Sequence, residues 1–287
     1  MNKSEIFGDW LVDYDLKDGG RIKRLCFNRF DLLTREPSRF TPPSQDFGKF
    51  ETRPVYGYDD CFPSVERCGY PGKEWVVPDH GELCWLPWEV EQKTGQLTFS
   101  VKSQALPVTF KRELFFGENE LRWSFEVNNH GNEWLPFQHV MHPLLNIEEI
   151  ADVKLPGFKS VVDESEGELK LKSSEDLRDF LFSVGKGHAR MLYLVQPDDN
   201  KVQWKYKNGV CVEMSFPQEY FSSIGIWWDN WGYPNEEGHR RCECAFEPIA
   251  GLTSKLDDAH KAGLATYIEP DSCITWDIRW KIKKNVS

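Results

Sequence analysis

Hydrophobic and polar residues alternate along several stretches of this chain. In LRWSFEVNN, the four residues Leu121, Trp123, Phe125 and Val127 alternate with more polar neighbours, so that one face of a half-buried strand would carry all four. The same period of two recurs in ITWDIRWKI, QLTFSVKS and VTFKRELFF. The stretch VQWKYKNGVCVEMSF alternates on both sides of an Asn-Gly pair, which is typical of a β-hairpin. We therefore predict an all-β, antiparallel fold.

Helical patterns are few and short. SSEDLRDFL, near residues 173–181, and SKLDDAHKAG, near residues 254–263, each predict about two helical turns. Thr253 or Ser254 would cap the second helix, and Gly263 would end it. Residues 35–78 contain prolines at positions 37, 42, 43, 54, 63, 71 and 78. Those prolines predict long loops that lie over one rim of the sheet.

Length and charge narrow the class of protein. A chain of 287 residues, without a composition shift or an internal repeat, fits a single domain over residues 1–287. The 46 acidic residues outnumber the 35 basic ones, which argues against nucleic acid or an anionic membrane as the main partner. No segment approaches the roughly 20 apolar residues of a membrane span, and the first residues do not resemble a signal peptide. We expect a cytoplasmic protein with a small-molecule partner.

The eight cysteines form no CxxC pair and no zinc-ligand spacing. We therefore interpret them as reduced thiols and predict no metal site from their pattern. Cys242 and Cys244 are the exception to consider, because two residues apart on a strand they would share one face. A metal at that pair remains the alternative.

The segment QHVMHPLLNI places two titratable side chains, His139 and His142, among apolar residues. Three residues apart on an extended strand, the two imidazoles would point to opposite faces. We predict that His142 lies in a functional site, where Pro143 restricts the backbone. His139 is interpreted as a structural histidine with hydrogen-bonded ring nitrogens.

Three further segments hold candidate residues. PDHGELCWLPWEV contains His80, GIWWDNWGYP contains Asp229, and CAFEPIAG places Glu247 before a proline that would stop its strand. Each has a structural alternative: His80 as a turn residue, Asp229 as a turn cap, and Glu247 as a surface carboxylate in a salt bridge.

Taken in order along the chain, these segments resemble the aldose 1-epimerases, or galactose mutarotase-like proteins. HPLLNI resembles that family's H-x-Y-F-N-L motif, which implies that His142 is the catalytic acid, although Leu144 and Leu145 replace the aromatic pair. PDHGE implies a substrate contact for His80, and AFEPIAG implies that Glu247 is the general base. Asp229 takes the place of a substrate-binding aspartate by approximate position.

The resemblance implies an antiparallel β-supersandwich and an enzyme without cofactor or metal. Its activity would be the interconversion of the α and β anomers of an aldose or a sugar phosphate. For a phosphate, the candidate contacts are Arg21, Arg24, Arg53 and Arg112.

Two other functions fit a tryptophan-rich β-sandwich. A non-catalytic carbohydrate-binding protein needs only an aromatic platform, whereas a mutarotase needs Glu247 and His142 to face each other. A glycoside hydrolase needs two carboxylates about 5–9.5 Å apart. Glu243 and Glu247 would be roughly 13 Å apart along a strand, which is too far.

Overall fold

The computed structural model describes residues 2–38, 47–234 and 240–283, and most of its regular structure is antiparallel β-strand. Residues 39–46, which belong to the predicted loop region, lie outside the described residues. The strands, numbered in chain order, are β1 (Asn2–Phe7), β2 (Trp10–Asp15), β3 (Arg21–Phe27), β4 (Phe30–Asp31), β5 (Tyr58–Cys61), β6 (Cys68–Gly69), β7 (Val76–Val77), β8 (Glu89–Lys93), β9 (Gln96–Lys102), β10 (Val108–Phe116), β11 (Glu120–Asn129), β12 (Leu135–Phe137), β13 (Val140–Pro143), β14 (Leu145–Asn146), β15 (Ile150–Lys154), β16 (Ser160–Asp163), β17 (Gly167–Leu169), β18 (His188–Val195), β19 (Lys201–Tyr206), β20 (Cys211–Ser215), β21 (Ser223–Asn230), β22 (Cys242–Ile249), β23 (Thr266–Ile268) and β24 (Ser272–Lys283).

Three large sheets form the fold. One has eight strands in the order β15-β19-β20-β24-β11-β10-β9-β8. The second has six, with β1-β2-β3-β5-β13 in sequence and β4 beside β3, and the third has the order β14-β22-β21-β18-β16-β17. Two short pairs, β12-β23 and β6-β7, complete the sheets found in the described part of the chain. The predicted all-β antiparallel architecture is confirmed.

The eight-stranded sheet packs face to face against both six-stranded sheets. The ring of Trp123 on β11 lies 4.6 Å from the ring of Tyr58 on β5, and the ring of Trp204 on β19 lies 5.7 Å from the ring of Phe246 on β22. The four alternating residues of β11 are all fully buried in this core, as the period of two predicted: Leu121, Trp123, Phe125 and Val127.

The two six-stranded sheets meet along one seam. The chain leaves β13 at Pro143 and enters β14 at Leu145, so consecutive strands belong to different sheets. This crossover brings β13 of one sheet close to β22 of the other. Residues on those strands that point away from the eight-stranded sheet can therefore meet across the seam.

The two predicted helices are present with slightly different bounds, α1 (Ser174–Ser183) and α2 (Leu256–Lys261). The Ser173 side chain caps α1 by accepting a hydrogen bond from the amide of Asp176. The prediction that Thr253 or Ser254 caps α2 is wrong, because the N-cap residue is Lys255, whose side chain makes no capping hydrogen bond. Ser254 bonds instead to the hydroxyl of Tyr193 at 2.6 Å. Neither helix is long and apolar enough to cross a membrane.

The region from 35 to 78 is less irregular than its prolines predicted. It contains β5, a four-residue strand inside one of the six-stranded sheets, paired with β13 along its whole length. The strand escaped the sequence pattern because it is short and buried on both faces.

Candidate active site

Strand β13 contains His142 and begins directly after His139, and the two imidazoles face opposite sides of its sheet. The His139 imidazole points into the core, where it packs against Phe110, Phe125 and Trp276. Its Nε2 atom lies 3.0 Å from Asp60. Burial lowers the pKa of His139 and outweighs the Asp60 carboxylate. His139 is thus a core histidine, as the strand alternation indicated.

His142 points away from the core and is oriented by a buried carboxylate. The two residues His142 and Asp59 are directly opposite each other on β13 and β5, and the Nδ1 atom of His142 lies 3.0 Å from Oδ1 of Asp59. Arg21 and Arg53 approach the other oxygen of Asp59 at 3.4 and 3.9 Å. These contacts hold the pKa of Asp59 well below its usual range, despite burial. An ionised Asp59 accepts a hydrogen bond from the Nδ1–H group of His142 and leaves Nε2 facing the site.

Glu247 lies across the sheet seam from His142. Its carboxylate oxygen Oε1 is 3.8 Å from Nε2 of His142, and both side chains are almost fully buried. Strand β21 places Gly225 opposite Glu247, where a Cβ atom would lie 3.0 Å from Met191. Glycine at this position therefore leaves room for the end of the Met191 side chain and for the Cβ atom of Glu247.

The prediction that Pro248 ends the strand is wrong, because β22 continues to Ile249. On the side of β22 away from β21, strand β14 pairs only with Glu243 and Cys244. Pro248 lies beyond that ladder, where a missing N–H group is tolerated.

Burial and neighbouring charges shift the pKa values of this pair. For His142, burial alone would lower the pKa, but the Asp59 hydrogen bond and the charges of Glu247 and Asp59 raise it above 6.5. For Glu247, burial raises the pKa above 4.5, and the nearby His142 and His80 offset only part of that rise. The two groups can therefore act as proton donor and acceptor near neutral pH.

His80 approaches the same pair from a strained loop. Its backbone has a φ of +58°, and its ring stacks on Phe50 with the centroids 3.6 Å apart. The ring centroid lies 5.1 Å from that of His142, and Nδ1 lies 3.0 Å from Asp79. The next residue, Gly81, has a φ of +73°, and a Cβ atom there would lie 1.9 Å from a backbone oxygen. The loop therefore requires glycine at this position.

Asp229 does not join the other three residues. It is fully buried, and its Oδ1 atom accepts hydrogen bonds from the amides of Gly232 and Tyr233. Burial and the nearby Glu243 raise its pKa to about 7. It does not line the cavity in front of the His142–Glu247 pair. The geometry thus favours the turn-capping alternative for Asp229.

A cavity of about 740 Å³ opens in front of the His142–Glu247 pair. Trp227 and Tyr233 supply aromatic surface to its wall, with their rings at 5.6 Å in an edge-on contact. Glu243 also lines the cavity, and Arg241 donates to it at 2.7 Å. Aromatic faces combined with polar groups are typical of a site for a small polar ligand.

Asp59 and Cys61 are among the residues of the site that were not predicted from the sequence. Asp59 orients His142, and the signal for it was the adjacent pair Asp59-Asp60 in the otherwise apolar segment YDDCF. Cys61, on the same face of β5 as Asp59, has its sulfur within 4.8 Å of nitrogen atoms of His80 and His142. No sequence spacing shows this group, because its members come from three separate segments.

Comparisons with known proteins relate the chain to solved structures only. No protein-family model matches it, and no curated protein does so. The Slr1438 protein from Synechocystis sp. PCC 6803 superposes with a TM-score of 0.75 at 16% identity, covering 99% of this chain and 96% of its own. A galactose mutarotase related enzyme from Lactobacillus acidophilus gives 0.70 at 17% identity, covering 99% and 98%. A galactose mutarotase-like protein from Clostridium acetobutylicum gives 0.69 at 16% identity, again covering 99% and 98%.

These likenesses define the class of fold. The chain has the galactose mutarotase-like fold over nearly its whole length. The fold implied by the sequence resemblance is thereby confirmed. At such low identity the likeness concerns the fold, and the chemistry has to be argued from the residues of this chain.

Proposed function

We propose that the protein is an aldose 1-epimerase, a mutarotase that interconverts the α and β anomers of an aldose or a sugar phosphate. The observation that carries the proposal is the 3.8 Å distance between Nε2 of His142 and Oε1 of Glu247 at the wall of a cavity. The anomeric hydroxyl and the ring oxygen of an aldose are attached to the same carbon. An acid and a base that serve these two oxygens must therefore lie close together.

The reaction needs two proton transfers in each direction. Glu247 accepts the proton of the anomeric hydroxyl, the C1–O bond to the ring oxygen breaks, and His142 donates its Nε2 proton to that oxygen. The open-chain aldehyde rotates about C1–C2, and the reverse transfers close the ring on the other face. A positioned acid or base contributes roughly 10²–10⁴-fold to such a step.

The surrounding residues support this division of roles. Asp59 stabilises the protonated form of His142 and fixes its ring, so that the acid is charged and oriented before the sugar arrives. His80, which is partly exposed in the cavity, is placed to contact a sugar hydroxyl. Trp227 offers an apolar face for the sugar ring.

A phosphorylated sugar is one proposed substrate, with Arg67 and Lys255 of the cavity lining as the proposed phosphate contacts. Five acidic residues line the same cavity, and two of them pair with its cations: Glu243 accepts a hydrogen bond from Arg241 at 2.7 Å, and Glu66 lies 3.5 Å from Lys255, a pair that is half exposed. Three of the arginines considered from the sequence are instead fully buried beside aspartates, namely Arg21, Arg53 and Arg112, and the fourth, Arg24, lies outside the cavity lining. The aspartates neutralise the positive charges of these three buried arginines, so the arginines are not available to bind a phosphate.

Two-dimensional NMR exchange spectroscopy tests the proposal directly. A panel of free and 6-phosphorylated aldoses is mixed with the protein, and α–β exchange peaks are measured against buffer. We expect exchange that grows with protein concentration for at least one sugar. If a phosphorylated sugar is a substrate, the double change Arg67→Gln and Lys255→Gln should raise its KM. The same change should leave the KM of the free sugar nearly unchanged.

A non-catalytic sugar-binding protein is the second candidate, supported by the aromatic wall formed by Trp227 and Tyr233. The same NMR experiment separates the two functions. Chemical-shift changes of a sugar that binds without faster anomer exchange would favour the binding protein and reject the epimerase.

A further inference from the structure

Three potential metal ligands meet beside the proposed acid. Cys61 on β5, His80 in its loop and His142 on β13 each bring one sulfur or nitrogen atom, and all three atoms lie within 4.8 Å of one another. Cys61 lies on the same strand face as Asp59, and the pairing of β5 with β13 places it opposite Val140, so that it is a diagonal neighbour of His142. Glu247 adds a carboxylate oxygen 3.8 Å from the His142 ring.

We propose that these residues bind a thiophilic divalent cation such as Zn²⁺ and that the bound ion inhibits the enzyme. Cys61, His80 and His142 would supply one sulfur and two nitrogens, and Glu247 the fourth ligand. The inhibitory effect rests on the proposed function, because an ion on His142 and Glu247 occupies both the acid and the base. Binding itself does not depend on that function.

The donor set selects the kind of ion. Thiolate and imidazole ligands suit zinc and related transition metals, whereas Mg²⁺ and Ca²⁺ prefer all-oxygen sites. Zinc sites hold Zn–N at about 2.0–2.1 Å and Zn–S at about 2.3 Å, which sets neighbouring ligand atoms of a tetrahedron roughly 3.4–3.7 Å apart. The ligand atoms of Cys61, His80 and His142, which lie within 4.8 Å of one another, would therefore have to approach by up to about 1.4 Å when the ion binds.

Both imidazoles are already oriented as metal-binding histidines usually are. The Nδ1 atom of His142 contacts Asp59 at 3.0 Å, and the Nδ1 atom of His80 contacts Asp79 at the same distance. Carboxylates in these positions fix the tautomer of a ligating histidine and leave Nε2 for the metal.

Charge balance also fits a divalent ion. Binding forms one metal–sulfur bond and displaces two protons to solvent, one from the Cys61 thiol and one from the protonated His142, so a thiolate and the Glu247 carboxylate neutralise the two positive charges. The two imidazoles bind in their neutral form. A neutral complex suits a site whose side chains Cys61, His142 and Glu247 are nearly fully buried.

Cobalt is the probe for binding, because thiolate ligation to Co²⁺ produces a charge-transfer absorption band. The EDTA-treated full-length protein should bind one equivalent of Co²⁺ with this band, and Zn²⁺ should displace it, while Mg²⁺ should not. Cys61→Ser and Cys61→Ala should each lose the band and bind about 100-fold more weakly. Cys84→Ser is the matched control, since Cys84 is also a buried thiol but lies outside the cluster.

Activity is the second readout. Zn²⁺ should slow anomer exchange over the concentration range in which it displaces Co²⁺, and EDTA should restore the rate. Each Cys61 variant should exchange anomers at the same rate with added Zn²⁺ as it does in EDTA. A wild-type protein without the charge-transfer band, or one that binds Co²⁺ equally after Cys61→Ser, overturns the metal site. Exchange that needs added metal overturns the inhibitory role, whereas a cobalt band with no exchange under any condition supports the metal site and rejects the proposed function.

Discussion

The Nε2 atom of His142 lies 3.8 Å from the Oε1 atom of Glu247, although the two residues belong to different sheets. This contact is created by the crossover between β13 and β14, which places the two six-stranded sheets side by side. Each side chain lies in the other's electrostatic field, so the proton affinities of the pair are coupled. The contact therefore makes predictions for pH dependence as well as for substitutions.

Anomer exchange should have a bell-shaped pH dependence. The base must be unprotonated, so activity should fall as the pH drops through the pKa of Glu247, which burial raises above 4.5. The acid must be protonated, so activity should fall as the pH rises through the pKa of His142, which Asp59 and Glu247 raise above 6.5. The pH profile of kcat/KM measures both limbs. An alkaline limb below pH 6.5 would contradict the predicted environment of His142.

Asp59→Asn should move the alkaline limb to lower pH. The change removes the negative charge and replaces a carboxylate, which can only accept, with an amide that can also donate to Nδ1, so the pKa of His142 should fall. We expect kcat at pH 7 to decrease by roughly 10-fold or more, since a misoriented imidazole also loses its correct tautomer.

The same change leaves Arg21 and Arg53 with one carboxylate fewer and should destabilise the fold by about 3–5 kcal/mol. Chemical denaturation therefore has to accompany the kinetics, at a temperature where the variant is folded. If the folded Asp59→Asn protein kept the wild-type alkaline limb, Asp59 would not be what raises the pKa of His142.

Local patterns and long-range contacts differed in how well the sequence predicted them. Alternation predicted that Trp123 lies in the core and that His139 and His142 point to opposite sides of their sheet, because side-chain direction in a strand depends only on position. Asp59 was missed because its strand has four residues, is surrounded by prolines and pairs with a segment far away in the chain. The role of Asp229 was transferred by approximate position, and its turn hydrogen bonds could not be seen without the fold.

Gly81→Ala should destabilise the loop that presents His80. The residue has a φ of +73°, and a new Cβ atom would lie 1.9 Å from the carbonyl oxygen of Phe62, so the backbone would have to move. We expect a loss of stability of roughly 2 kcal/mol or more and a higher KM, measured by denaturation and exchange kinetics.

Gly72→Ala is the matched control for that change. Gly72 has a similar φ of +76°, but nothing lies within 4 Å of the position that a Cβ atom would take there. Its substitution should cost only about 1 kcal/mol, from backbone strain alone, and should leave KM unchanged. Equal effects of the two substitutions would show that the close approach at Gly81 is unimportant.

Glu247→Gln and His142→Asn should each reduce anomer exchange by roughly 10²-fold or more while changing sugar affinity little. Glutamine keeps the size of the side chain but cannot accept the hydroxyl proton, and asparagine cannot donate to the ring oxygen as an acid. The double variant should be far less impaired than the product of the two single effects, because both residues serve one ring opening. NMR exchange rates and sugar titrations, measured on the same samples, separate the catalytic loss from a loss of binding.

Glu113→Gln is the matched control, since Glu113 on β10 accepts hydrogen bonds from Gln96 and Thr98, away from the cavity. It should exchange anomers at the wild-type rate. His139→Asn should lower stability, because His139 is packed in the core beside Asp60, but the folded protein should retain its rate. If His139→Asn abolished exchange and His142→Asn did not, the acid would be assigned to the wrong face of β13. If neither Glu247→Gln nor His142→Asn slowed exchange, proton transfer by this pair would be excluded, and sugar binding without catalysis would be the better account of the cavity.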